Sequence, residues 1–105
     1  MDKIAMLTEI LQANPADSFA RYGLAMEHLS QNNPDKALEE FALTIQHNPD
    51  YVPAYQMSGQ TLAKLHRNDE AITILKSGLA ATQRTGNRHA ASEMQALLDE
   101  LELGY

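Results

Sequence analysis

Four histidines, His28, His47, His66 and His89, and two acidic groups, Glu39-Glu40 and Asp99-Glu100 with Glu102, are the side chains of this 105-residue chain that could hold a metal or transfer a proton. Ligating histidines on one helix face stand three or four residues apart; no two histidines do, and neither an HExxH nor a Glu-x-x-His run occurs. General acid–base work needs two carboxylates converging in a cleft that drives their proton affinities apart. Acids side by side on solvated helix faces do not converge. Cysteine is absent, which removes thiolate metal sites, disulfides and cysteine nucleophiles. Glycines at 23, 59, 78, 86 and 104 form neither GxGxxG nor GxxxxGK, so no phosphate cradle is readable. The expected catalytic set is therefore empty: no enzyme, no metal and no cofactor. Structural roles suffice for the histidines, with His28 edging a core and His47 near the negative end of a helix.

The chemistry left to the chain is that of a surface. Eight Lys and Arg against fourteen Asp and Glu give a formal charge of −6, the wrong sign for nucleic acid. The first fifty residues hold three bases and eight acids, and the remainder five and six. In the second part, Lys64, Arg67, Lys76, Arg84 and Arg88 face Asp69 and Glu70 ahead of the acidic tail, which reads as an ordinary solvated helical surface before a patch for an acidic peptide. No signal segment or membrane-spanning run is readable, so a cytoplasmic protein without a membrane partner is expected.

The elements that carry this surface are all helical, since apolar residues recur at helical spacing and no stretch alternates with period two. A first helix (within 1–14) carries Ile4, Leu7, Ile10 and Leu11 and stops at Asn14-Pro15, because proline bars its predecessor from the helical conformation. A second runs to about Gln31, with Phe19, Tyr22, Met26 and Leu29 on one face and Leu24, Ala25 and His28 on another, so it needs burial or partners on two sides. Asn33-Pro34 opens a third, with Ala37, Leu38, Phe41 and Ile45 inward. Asp50 is expected to cap a fourth that carries Tyr55, Leu62 and Leu65, and His66-Arg67-Asn68 to turn into a fifth that carries Ala71, Ile72, Leu75 and Leu79. Gly86 suits a left-handed C-terminus, and Asn87 caps a last helix (87–102) striped by Met94, Leu97, Leu98 and Leu101. Six helices without a linker suit a single domain over 1–105.

Sliding the chain against itself by the distance that brings Asn14-Pro15 onto Asn48-Pro49 also brings Ala20 onto Ala54, Ala25 onto Gly59, Ala37 onto Ala71, Phe41 onto Leu75 and Ile45 onto Leu79. Small residues fall where helices must approach closely and helix breaks recur at one phase, the pattern of stacked helical hairpins. In these positions the chain resembles the tetratricopeptide repeat family, with repeats at 16–49 and 50–83. Leu24-Ala25, Ala37, Phe41 and Pro49 match the first unit, and Tyr55, Gly59, Ala71 and Leu75 the second. Arg21 stands where the family has an aromatic, Ser58 replaces Leu, and Gln83 replaces the closing Pro. The resemblance implies an all-α, short right-handed solenoid with a C-terminal capping helix.

It also implies a concave groove lined by the first helix of each pair, placing Phe19, Tyr22, Met26 and Leu29, then Gln56, Gln60, Ala63 and Lys64, at its surface, with Arg67 at its edge. Such a groove binds a peptide or helix of a partner protein, here an amphipathic one with its apolar anchor on the first set and polar or acidic groups toward Gln56, Gln60, Lys64 and Arg67. The first helix could instead fold over the apolar stripe and make it core. Tyr22, Met26 and Met57 occupy positions where the family's carboxylate clamp carries Lys and Asn, so that clamp is not expected. The alternative to an external ligand is a self-assembling unit, a homodimer through the apolar groove or a flanking helix.

Overall fold

The computed structural model describes residues 2–104 and consists, among them, of six helices: α1 (Lys3–Ala13), α2 (Ser18–Ser30), α3 (Pro34–His47), α4 (Val52–Lys64), α5 (Asn68–Thr85) and α6 (Arg88–Leu103). They form two compact units, Met1–Asn48 and Pro49–Tyr105.

Local chemistry sets the helix ends. Asp2, Asp17 and Asn87 accept from the backbone N–H three residues on, at 2.8, 3.0 and 3.1 Å, each filling a donor the first turn leaves open. Asn33 precedes Pro34 without a side-chain cap, proline's missing N–H having removed one donor. Asp50 does not cap α4; Tyr51 stands at that position, and the Asp50 carboxylate instead accepts from Arg84 Nε at 2.7 Å. Asn68 lies inside α5, so the turn before it is shorter than expected. The hairpin turns repeat: Asn32 and His66, at the same phase of the two units, both adopt φ of 59°, and Asn33 N–H and Arg67 N–H donate back to the His28 and Leu62 carbonyls at 2.8 and 2.9 Å. Gly86 ends α5 in the left-handed region, as expected.

In unit 1, α2 is sandwiched. α1 brings Leu11, with Ile4 and Leu7, onto Ala20 and Leu24, while Ala25, Ala37 and Phe41 are fully buried. Ile10, expected on the inner stripe of α1, is 42% exposed. In unit 2, α4 packs on α5 and α6 on both. Tyr55, Leu62, Ala71, Leu75, Met94 and Leu98 are buried, whereas Leu65 is the C-terminal cap of α4 and stays partly exposed. Two glycines permit the close approach: a Cβ on Gly59 would stand 2.6 Å from Leu75 Cδ2, and one on Gly78 would stand 2.6 Å from Tyr55 Cβ and 2.7 Å from Met94 Sδ. Each would overlap a side chain already in place.

Candidate binding surface

α2 presents three faces, and each has a different fate. The Ala20–Gly23–Leu24 side receives α1; Leu7 Cδ1 lies 3.6 Å from where a Cβ on Gly23 would stand. Arg21 turns toward α3, where Nη1 meets Glu40 Oε2 at 2.9 Å and Nη2 donates to the Pro15 carbonyl at 3.1 Å, with the guanidinium side chain only 13% exposed. The third face carries Phe19, Tyr22, Met26 and Leu29. Tyr22 stacks its ring, tilted, 5.8 Å from that of Phe41, and with Met26 and Leu29 it is half-buried. Phe19 is 80% exposed. The first helix thus docks beside the apolar stripe rather than over its aromatic end. An exposed phenyl ring of this kind gains about 1.5–3 kcal/mol when a partner covers it.

The equivalent face of α4 is polar. Gln56 Nε2 donates to Glu93 Oε2, whose other oxygen lies 2.6 Å from His89 Nε2, so α6 supplies two residues to this face that were not expected there. The His89–Glu93 spacing of one helical turn was legible; their meeting with Gln56, 37 residues before Glu93, was not. Gln60 is half-buried and Lys64 exposed at the end of α4. Arg67 is engaged by Glu70, Nη2 to Oε2 at 2.6 Å and Nε to Oε1 at 3.3 Å. Arg84 binds Asp50 and the Pro49 carbonyl, and the Asp50 hydrogen bond raises its proton affinity above the ordinary arginine value. Two of the five bases of the second part, Arg67 and Arg84, are thus engaged by acids of their own unit.

The residues expected to pack the repeats, Leu24, Ala25, Ala37, Phe41, Tyr55, Gly59, Ala71 and Leu75, are all buried. Pro49 is exposed, and what it contributes to packing is its carbonyl, which accepts from Tyr55 Oη at 2.6 Å. Each pair also holds a hollow. The one in unit 1, about 420 Å³, is lined by His28, Lys36, Glu39 and Glu40 with Thr8 and Gln12 of α1. Its counterpart in unit 2, about 390 Å³, has Leu62, Glu70, Thr73 and Ile74 at the matching positions. Among the described residues no three His, Asp or Glu side chains gather to hold a metal ion, and no helix is long and apolar enough to cross a membrane.

The tetratricopeptide repeat profile matches residues 4–58 and again 28–98. A tetratricopeptide repeat domain protein from Salinibacter ruber is 35% identical, with a TM-score of 0.77 over 82% of this chain and 97% of its own. A protein from Bordetella parapertussis is 24% identical, with a TM-score of 0.81 over 99% and 90%. The TPR2B domain of yeast Sti1, solved as a complex with pHsp70, shares the fold at 17% identity, with a TM-score of 0.87 over 97% and 82%. No curated protein sequence matches.

Proposed function

Because the chain belongs to the tetratricopeptide repeat family, we propose that it is a non-enzymatic interaction module that receives a peptide or helix of a partner protein on the faces of its A helices, α2 and α4. The fold generally mediates protein–protein interaction, and members of the family are typically scaffolds without catalysis. The observation that carries the reading is Phe19, four-fifths exposed on a face that continues through Tyr22, Met26 and Leu29. An apolar anchor of the ligand suits that face of unit 1; the corresponding face of unit 2 offers polar partners in Gln56, Gln60 and Lys64, while its Arg67 is already engaged by Glu70. That Sti1 domain has pHsp70 as its partner. Here Tyr22 and Met26 occupy the positions that would project a carboxylate clamp, and an internal apolar segment is the better fit.

Phe19→Ala is the cleaner test, because Tyr22 also packs on Phe41 and its loss would disturb the core. Against a library of amphipathic helical peptides, the parent chain should retain binders and Phe19→Ala should lose them with its melting temperature unchanged. If the parent retained no binder, the reading would fail. The alternative, a homodimer through the same face, is tested by light scattering. A concentration-dependent dimer abolished by Phe19→Ala would establish it instead.

A further inference from the structure

Resting on that reading, we infer that the apolar face of unit 1 continues from α2 onto α1 through Met6 and Ile10, and that the segment it receives is a basic amphipathic helix. The placement follows from how the two helices meet. Lys3 Nζ lies 4.0 Å from Glu27 Oε2, Leu7 abuts Gly23, and Leu11 packs with Ala20, so α1 runs antiparallel to α2. On one flank of this seam, Thr8 and Gln12 look with His28 into the unit 1 hollow. The other flank therefore carries, on α2, the row Phe19–Gly23–Met26 and, on α1, Met6 and Ile10, one helical turn apart. Met6 is 47% exposed and Ile10 42%, so three large exposed apolar side chains share one side of the unit. Scattered singly they would need no explanation; brought to one side of the unit by helical position, they make a candidate interaction surface.

Charge selects the occupant. Unit 1 has three bases, Lys3, Arg21 and Lys36, against seven acids, Asp2, Glu9, Asp17, Glu27, Asp35, Glu39 and Glu40, a formal −4. Lys3 and Arg21 are paired with Glu27 and Glu40. Glu9 lies on the far side of the Met6–Ile10 ridge by helical position, and Asp2, just ahead of α1, keeps its carboxylate at the start of the helix on the Ala5 N–H. A second copy would bring −6 toward −6, and an anionic bilayer or a nucleic acid would be repelled likewise. A helix with apolar residues three and four apart and Lys or Arg along its edges satisfies both the ridge and its rim.

The experiment titrates the full chain by calorimetry with two peptides of about 15 residues and identical apolar pattern, one carrying Lys and one Glu at the polar positions. The Lys peptide should bind about tenfold more tightly or better, weakening several-fold between about 0.05 and about 0.3 M salt. Met6→Gln with Ile10→Gln should weaken it about tenfold at unchanged melting temperature, both positions being substantially exposed. Asp2→Asn, which preserves the helix cap, with Glu9→Gln should narrow the preference between the peptides. Equal binding of the two peptides, or Glu preferred, overturns the basic partner. Binding that Phe19→Ala abolishes and the Met6/Ile10 pair leaves intact overturns the extension onto α1 while the groove reading stands. Failure of both peptides together with an empty library screen defeats the groove reading itself. A dimer lost in the Met6/Ile10 variant would assign the face to a second copy and overturn the proposal.

Discussion

At equivalent positions of the two repeats, unit 1 carries Arg21 and unit 2 carries Tyr55, and both side chains donate to the carbonyl of the proline six residues earlier, Arg21 Nη2 to Pro15 at 3.1 Å and Tyr55 Oη to Pro49 at 2.6 Å. The backbone poses one requirement in both units, a donor for a carbonyl that its helix break leaves without a helical partner. In unit 1 a planar cation meets it; in unit 2 a phenol does, joined by Arg84 Nη2 at 3.0 Å. What differs is the second task. Tyr55 fills space under Gly78, whereas Arg21 reaches across to Glu40. The same contrast recurs at neighbouring sites: Ala25 with Phe41 in unit 1 corresponds to Gly59 with Leu75 in unit 2, and fully buried Thr44 to Gly78. Repeat register thus constrains backbone geometry more tightly than residue identity or volume, unit 2 carrying smaller side chains at these positions and closing on Gly78 with Tyr55 and Met94.

The comparison can be broken most severely at Gly78. Gly78→Ala drives a methyl into Tyr55 and Met94 at the junction of three helices, and urea unfolding should show a loss of about 3 kcal/mol; a neutral outcome would mean that unit 2 has slack its close contacts deny. Gly59→Ala should cost about 1–3 kcal/mol through Leu75 Cδ2, and Leu75→Val beside it should recover part of that loss. Arg21→Ala should destabilise by about 1–2 kcal/mol, leaving the partly buried Glu40 without its partner and the Pro15 carbonyl without this donor. Tyr55→Phe, which removes only the hydrogen bond, should cost about 0.5–1.5 kcal/mol. If Arg21→Tyr recovers more than Arg21→Leu, the shared proline contact is the cause. Smallest is the turn pair: His66→Gly should stabilise by about 0.5–1 kcal/mol and Asn32→Gly by less, asparagine tolerating the left-handed region better. Thermal melts of the two variants side by side would rank them.

Much of the fold was legible because its determinants are local. The Asn-Pro breaks, the Asn87 cap, the left-handed Gly86 and the apolar stripes act over a few residues. Legibility failed where a side chain had a distant competitor. Asp50 has the chemistry of a cap and sits next to the right position, but Arg84 offers it a charged donor from the neighbouring helix. Ile10 matches the helical stripe of α1, yet α1 meets α2 through Leu11, Leu7 and Ile4, and Ile10 stays 42% exposed. At the candidate site, the apolar character of α2's outer face could be read from Phe19, Tyr22, Met26 and Leu29. Its exposure could not, nor could the polar junction of Gln56 with Glu93.

The amino-acid sequence by itself determined that the chain is helical, where most of its helices begin and end, and that its hairpins recur at one fixed period, because backbone sterics, capping and hydrophobic periodicity are properties of short segments. Tertiary structure alone decided which apolar face of α2 was covered by α1 and which kept Phe19 exposed. It also decided why Gly78 admits no methyl and which acid answers Arg21 or Arg84. Each of these depends on the approach of segments distant along the chain, and several faces of comparable hydrophobicity compete for the same burial until packing selects among them.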